Sequence, residues 1–168
     1  QQESGVEGSI SHLYDLHFVD AQTGWAVGWD GDGAIVATTD GGETWNRQDP
    51  TVEFLRAIFF ADAQSGWAVG SNGAVATTDG GQTWVAQDAG RRALEDVFFT
   101  DGRNGWAVGA GSIVLSTADG GVSWNQERDG GAGTPTLYGV HFLDDEHGWV
   151  VGDDGVILHF GLPEGVDG

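Results

Sequence analysis

The sequence predicts an all-β fold, a β-propeller built of four-stranded antiparallel blades. Three observations predict it. The pentapeptide Gly-Trp-(Ala/Val)-Val-Gly occurs four times, around Trp25, Trp67, Trp106 and Trp149, which sets a repeat length of roughly 40 residues. Within each repeat the apolar residues fall into strand-sized runs bounded by Gly, Asp and Ser, with no helical period. An octapeptide, Thr-x-Asp-Gly-Gly-x-(Thr/Ser)-Trp, returns at 38–45, 77–84 and 117–124. Small sheets repeated radially at this length are propeller blades.

Each repeat divides into four pieces. An apolar run ending in Phe-x-Asp supplies the first strand, at 13–20, 55–62, 94–101 and 137–144. A short polar turn leads to Gly-Trp-Ala-Val-Gly, the second strand. A Gly- or Asp-rich turn leads to the third, at 34–39, 74–78, 113–117 and 156–160. The Asp-Gly-Gly turn then opens the fourth strand, at 44–48, 83–87 and 123–127. The turn has a physical reading: the carboxylate accepts backbone N–H groups a few residues on, Gly supplies positive φ, and the Trp returns apolar area to the core. Asp40, Asp79 and Asp119, with Trp45, Trp84 and Trp124, are therefore read as structural staples.

The whole chain reads as one propeller domain, 1–168. Residues 1–12 form a closing strand and linker, 13–49, 55–88 and 94–128 three complete repeats, 137–160 an incomplete fourth, and 161–168 a tail. The fourth repeat stops at Phe160-Gly161, where the Asp-Gly-Gly turn is due. Residues 1–18 align without a gap to 125–142, so Gln1 falls one position after an expected Trp. The segment 1–6 is thus expected to complete the last blade, removing two open sheet edges.

Charge narrows the partners. With 26 acidic residues, six Arg and no Lys, the net charge is −20, which disfavours nucleic acid and anionic membrane surfaces. Such a surface resembles that of proteins from salt-loving microbes, where cations screen self-repulsion. There is no Cys, hence no disulfide or thiolate metal site. No apolar run reaches the roughly 18 residues of a membrane span, so no membrane insertion is expected. A chain starting Gln1-Gln2-Glu3 is compatible with a mature form whose signal peptide has been removed.

No catalytic constellation emerges. The six Arg, at 47, 56, 91, 92, 103 and 128, do not fall on equivalent positions of three repeats, as a sialidase-type carboxylate clamp requires. Gly-x-Ser-x-Gly, a phosphate loop and His-Glu-x-x-His are all missing. The reading is a protein that is not an enzyme and needs no cofactor. Asp30, Asp32, Asp153 and Asp154 are weak candidates for a hard cation, read first as solvated turn residues. His17 and His141 share a column with Phe59 and Phe98 and are read as packing residues.

Binding is the expected activity. Positions that differ between repeats in one structural slot are free to recognise a partner, and the slot near the start of the first strand reads Tyr14, Arg56, Glu95, Tyr138. Arg56, Arg91 and Arg92 are expected to form a basic patch for an acidic or carboxylate-bearing protein partner. Internal pairing with Glu53, Glu95 and Asp96 is the alternative.

Gly-Trp-Ala-Val-Gly followed by Thr-x-Asp-Gly-Gly-x-Thr-Trp resembles the photosystem II stability/assembly factor family of exported propellers. More broadly it resembles the Asp-box (bacterial neuraminidase, BNR) repeats of sialidases and some glycoside hydrolases. The resemblance covers Leu13 to Phe160. It implies a seven-bladed ring, an exported location and a scaffold that binds protein partners during membrane-complex assembly; a carbohydrate-binding or glycosidase-related propeller is the alternative. Seven blades turn about 50° each and four turn about 90°, whereas two four-repeat chains in one eight-bladed ring need about 45°. The expectation is therefore a homodimer closing one ring, with a four-bladed monomer as the alternative.

Overall fold

In the computed structural model, which describes residues 10–31, 33–48, 50 and 53–161, the strand runs fold into four antiparallel sheets. The first contains β1 (His12–Phe18), β2 (Gly24–Trp29), β3 (Gly33–Thr38) and β4 (Asn46–Gln48). The second contains β5 (Leu55–Phe60), β6 (Gly66–Gly70), β7 (Gly73–Thr77) and β8 (Val85–Gln87). The third contains β9 (Leu94–Phe99), β10 (Gly105–Gly109), β11 (Ile113–Thr117) and β12 (Asn125–Arg128). The fourth has three strands among the described residues, β13 (Leu137–Phe142), β14 (Gly148–Gly152) and β15 (Ile157–Phe160). The segment 1–6, expected to complete it, lies outside the described residues.

The first strands end two residues earlier than the apolar runs suggest. Asp20, Asp62, Asp101 and Asp144 each accept the backbone N–H groups two and three residues on, at 2.6–2.9 Å. These bonds favour the charged form and hold all four carboxyls below the usual range. The Asp of Phe-x-Asp thus belongs to the turn.

Consecutive sheets pack face to face, and the core lies in three clusters between them. The Phe that ends each first strand is the hub. Trp25 stacks on Phe60, Trp67 on Phe99 and Trp106 on Phe142, with ring centroids 3.5–3.7 Å apart, each Trp reaching from the preceding blade. Within a blade, the octapeptide Trp meets the same Phe edge-on, as in Phe18–Trp45, Phe60–Trp84 and Phe99–Trp124 at 5.9–6.0 Å. The fourth repeat has no such Trp; there Phe160, in the third-strand slot that holds Thr38, Thr77 and Thr117 in the other repeats, lies 5.8 Å from Phe142 in a tilted contact.

The run is an open arc. First strands of successive blades lie side by side, β1 on β5, β5 on β9 and β9 on β13, and no comparable contact joins β1 to β13. Leu16 is 63% exposed, whereas its equivalents Ile58, Val97 and Val140 are 4–7% exposed. At the other end Trp149 is 40% exposed, against 2–7% for Trp25, Trp67 and Trp106. No helix among the described residues is long and apolar enough to cross a membrane.

Candidate functional site

The register of each first strand slips at one place: between Leu13 and Asp15, Leu55 and Ala57, Leu94 and Asp96, and Leu137 and Gly139. The extra residue in these β-bulges is Tyr14, Arg56, Glu95 or Tyr138. A bulge re-aims the side chain it carries, so one element per blade presents one variable side chain. Three of them touch in sequence: the Arg56 guanidinium lies 4.8 Å from the Tyr14 ring centroid, and its Nε is 3.5 Å from Glu95 Oε2. Tyr14 and Tyr138 are exposed, and the Tyr138 hydroxyl donates to Asp153 Oδ2 at 3.4 Å.

The arginines separate. Arg92 donates to Asp129 at 2.9 Å and to Gln126 Oε1 at 2.8 Å, so it serves the edge of the third blade and not a patch with Arg56. Exposed Arg91 lines a cleft of about 470 Å³ with Glu53, Asn72, Gln87 and Asp88. Of the carboxylates named as alternative partners, Glu95 pairs with Arg56, while Asp96 serves the backbone.

Asp30 pairs with Arg47, Asp32 lies outside the described residues, and Asp153 accepts the Thr136 N–H. Asp154 sits in the left-handed region at φ 57°. Among the described residues no three His, Asp or Glu side chains converge as a metal site.

In the octapeptide, Gly80 and Gly81 take φ of 72° and 89°. Asp79 accepts the Thr83 N–H and hydroxyl at 2.9 and 2.7 Å and the Thr77 hydroxyl at 2.8 Å. The same bonds recur at Asp40 and Asp119. The turn also joins blades, because Trp25 Nε1 donates to Gly80 O at 3.1 Å and Trp67 Nε1 to Gly120 O at 2.7 Å.

Sequence reasoning missed the role of two inner-strand carboxylates in joining blades. Asp15 Oδ2 accepts the Ile58 N–H at 2.9 Å and Asp96 Oδ2 the Val140 N–H at 2.8 Å, each bond crossing to the next blade. Ala57 and Gly139 occupy the slot in the other repeats, and that alternation was the available signal. Beside this slot runs an aromatic row, His17, Phe59, Phe98 and His141, with successive ring centroids 4.6–5.3 Å apart. Burial pulls the His17 imidazole below its ordinary value.

The carboxylates divide by pH. Bonds from the Thr or Ser hydroxyl and N–H lower Asp40, Asp79 and Asp119 to about 2, so their stabilisation is present above pH 4 and lost as pH falls towards 2. Burial raises Asp96 from 3.8 to about 6, outweighing its two N–H bonds, so its contribution is full below pH 4 and lost as pH rises through 6. The melting-temperature difference between the natural chain and Asp96→Asn is therefore expected to change between pH 4 and 6 and to be flat below 4. A difference constant across that window would contradict the assignment.

Residues 85–161, a little under half of the chain, match the family model of the photosynthesis system II assembly factor YCF48. YCF48 from Cyanidioschyzon merolae is similar at 24% identity and a TM-score of 0.72, over 94% of this chain and 52% of that one. A structure of YCF48 bound to D1 peptide is similar at 19% identity and a TM-score of 0.60, over 88% of this chain and 62% of that one. The computationally designed Ika4 protein is similar at 15% identity and a TM-score of 0.73, over 97% of this chain and 99% of that one. No curated protein matches. At these identities the structural likeness speaks to the fold, and the chain spans about half to three-fifths of the two YCF48 chains. Taken with the repeat geometry, the structural likeness shows a propeller fold, and residues 85–161 are similar to the photosynthesis system II assembly factor family.

Proposed function

We propose that the chain is a non-enzymatic protein-binding scaffold that takes a peptide segment of its partner across the row Tyr14, Arg56, Glu95 and Tyr138, with Arg91 at its flank. The observation that carries the reading is the bulge in every first strand, which lifts the most variable column of the repeat out of an otherwise constant blade. The row suits a peptide: two exposed aromatic faces and an Arg already held by stacking and a carboxylate offer apolar, cationic and anionic contacts side by side. The family match and the peptide-bound relative support the same reading. Two chains sharing one ring would join two such rows, and an exported location fits the family resemblance.

Labelled D1 peptide, titrated against the chain by fluorescence anisotropy, is expected to bind saturably. Arg56→Glu with Arg91→Glu should weaken it about tenfold, the scale of a lost charged hydrogen bond. Binding unchanged by the double variant would remove the site, and binding of oligosaccharides in place of peptide would favour a carbohydrate-binding propeller.

A further inference from the structure

Three internal junctions show what the two open faces are shaped to meet. In each, one blade contributes Trp and Val from its second strand and an apolar residue from its third, as Trp25, Val27 and Ile35 do in the first blade. The next blade contributes Leu, a branched aliphatic and Phe from its first strand, as Leu55, Ile58 and Phe60 do in the second. The junctions between blades two and three and between three and four repeat this code, with Trp67 and Val69 against Leu94, Val97 and Phe99, and Trp106 and Val108 against Leu137, Val140 and Phe142.

Both halves of a fourth junction exist in the same chain, at opposite ends of the arc. Trp149, Val151 and Ile157 are 40%, 46% and 69% exposed on the last blade. Leu13, Leu16 and Phe18 are 50%, 63% and 37% exposed on the first. We propose that a second copy of this chain covers them, blade four of each copy seating on blade one of the other, so that two arcs close one eight-bladed ring.

The polar contacts agree with that occupant. Trp149 Nε1 would donate to Gly41 O of the other copy, as Trp25 and Trp67 donate to Gly80 O and Gly120 O. Alternate repeats differ, since Asp15 and Asp96 bond to the following blade where Ala57 and Gly139 cannot, so the junction after blade four has the character of the one after blade two. A repeat of two blades continued across the junction keeps this alternation in register around eight. The aromatic row closes as well, with His141 of one copy beside His17 of the other. Because each contact is head to tail and forms twice, closure leaves no apolar face open, whereas a rotation that failed to close would yield open chains. This inference rests on the blade junctions and stands apart from the peptide reading.

Light scattering across a concentration series is expected to give twice the 17.6 kDa chain mass. Leu16→Glu and Trp149→Glu should each give monomers with unchanged circular dichroism, since both side chains are exposed within the single arc. Mixing the two variants should restore dimers, because the mixture regains one undamaged junction; Val122→Glu, an exposed site away from both faces, should stay dimeric. A monomeric natural chain at high micromolar concentration would overturn the proposal. So would open-ended oligomers, or a Trp149→Glu dimer alongside a Leu16→Glu monomer, which would mean a contact between two first blades.

Discussion

Phe99→Ala is expected to destabilise the fold by about 3–5 kcal/mol, the range for removing a fully buried aromatic ring. Phe99 is 2% exposed, lies 3.7 Å from the Trp67 ring in a stacked pair and meets Trp124 edge-on at 6.0 Å. Its loss removes the area of the ring and uncouples the second blade from the third. In a chain of this length the melting temperature should fall on the order of 10 °C. Phe98→His is the control: Phe98 stands in the row where other repeats carry His17 and His141, and a cost under about 1 kcal/mol is expected there. Equal losses at the two positions would contradict the division between a junction face and an inner row.

Gly109→Ala is the second large effect, expected to cost about 3 kcal/mol through overpacking. A Cβ at Gly109 would lie 2.1 Å from the Ala93 carbonyl oxygen and 2.8 Å from Leu94 Cα. The backbone at Gly109 is extended, with φ near 180°, so the penalty is steric. The neighbour is main chain at the mouth of the bulge that carries Glu95, and it has no rotamer by which to retreat. Thermal melts should show the loss, while Gly102→Ala, where nothing lies within 4 Å, should be neutral. A neutral Gly109→Ala would mean that the bulge is not held by this close approach.

Much of the architecture was legible in the chain because its signals are local and repeated. Gly-Trp-Ala-Val-Gly marked every second strand, and its glycines have distinct reasons: at Gly105 the Phe99 ring lies 2.4 Å from a Cβ position, and at Gly109 the main chain does. The Asp-Gly-Gly turn announced itself through residues that bond within four positions of one another. The column Tyr14, Arg56, Glu95 and Tyr138 was legible as a variable slot, but nothing local revealed that it sits on a bulge. The separation of Arg56 from Arg92 was equally hidden, since Asp129, which draws Arg92 away, lies 37 positions on.

By itself the sequence determined the all-β repeat, the four blades, the staple turns and the absence of a strict fourth octapeptide, because strand period, turn chemistry and spacing act over a few residues. Only the tertiary structure decided which faces meet: that Phe142 packs against Phe160, that Asp15 and Asp96 tie one blade to the next, and that the arc leaves Leu16 and Trp149 uncovered. Those outcomes depend on the angle between packed sheets, which is set by side chains some 40 residues apart acting together.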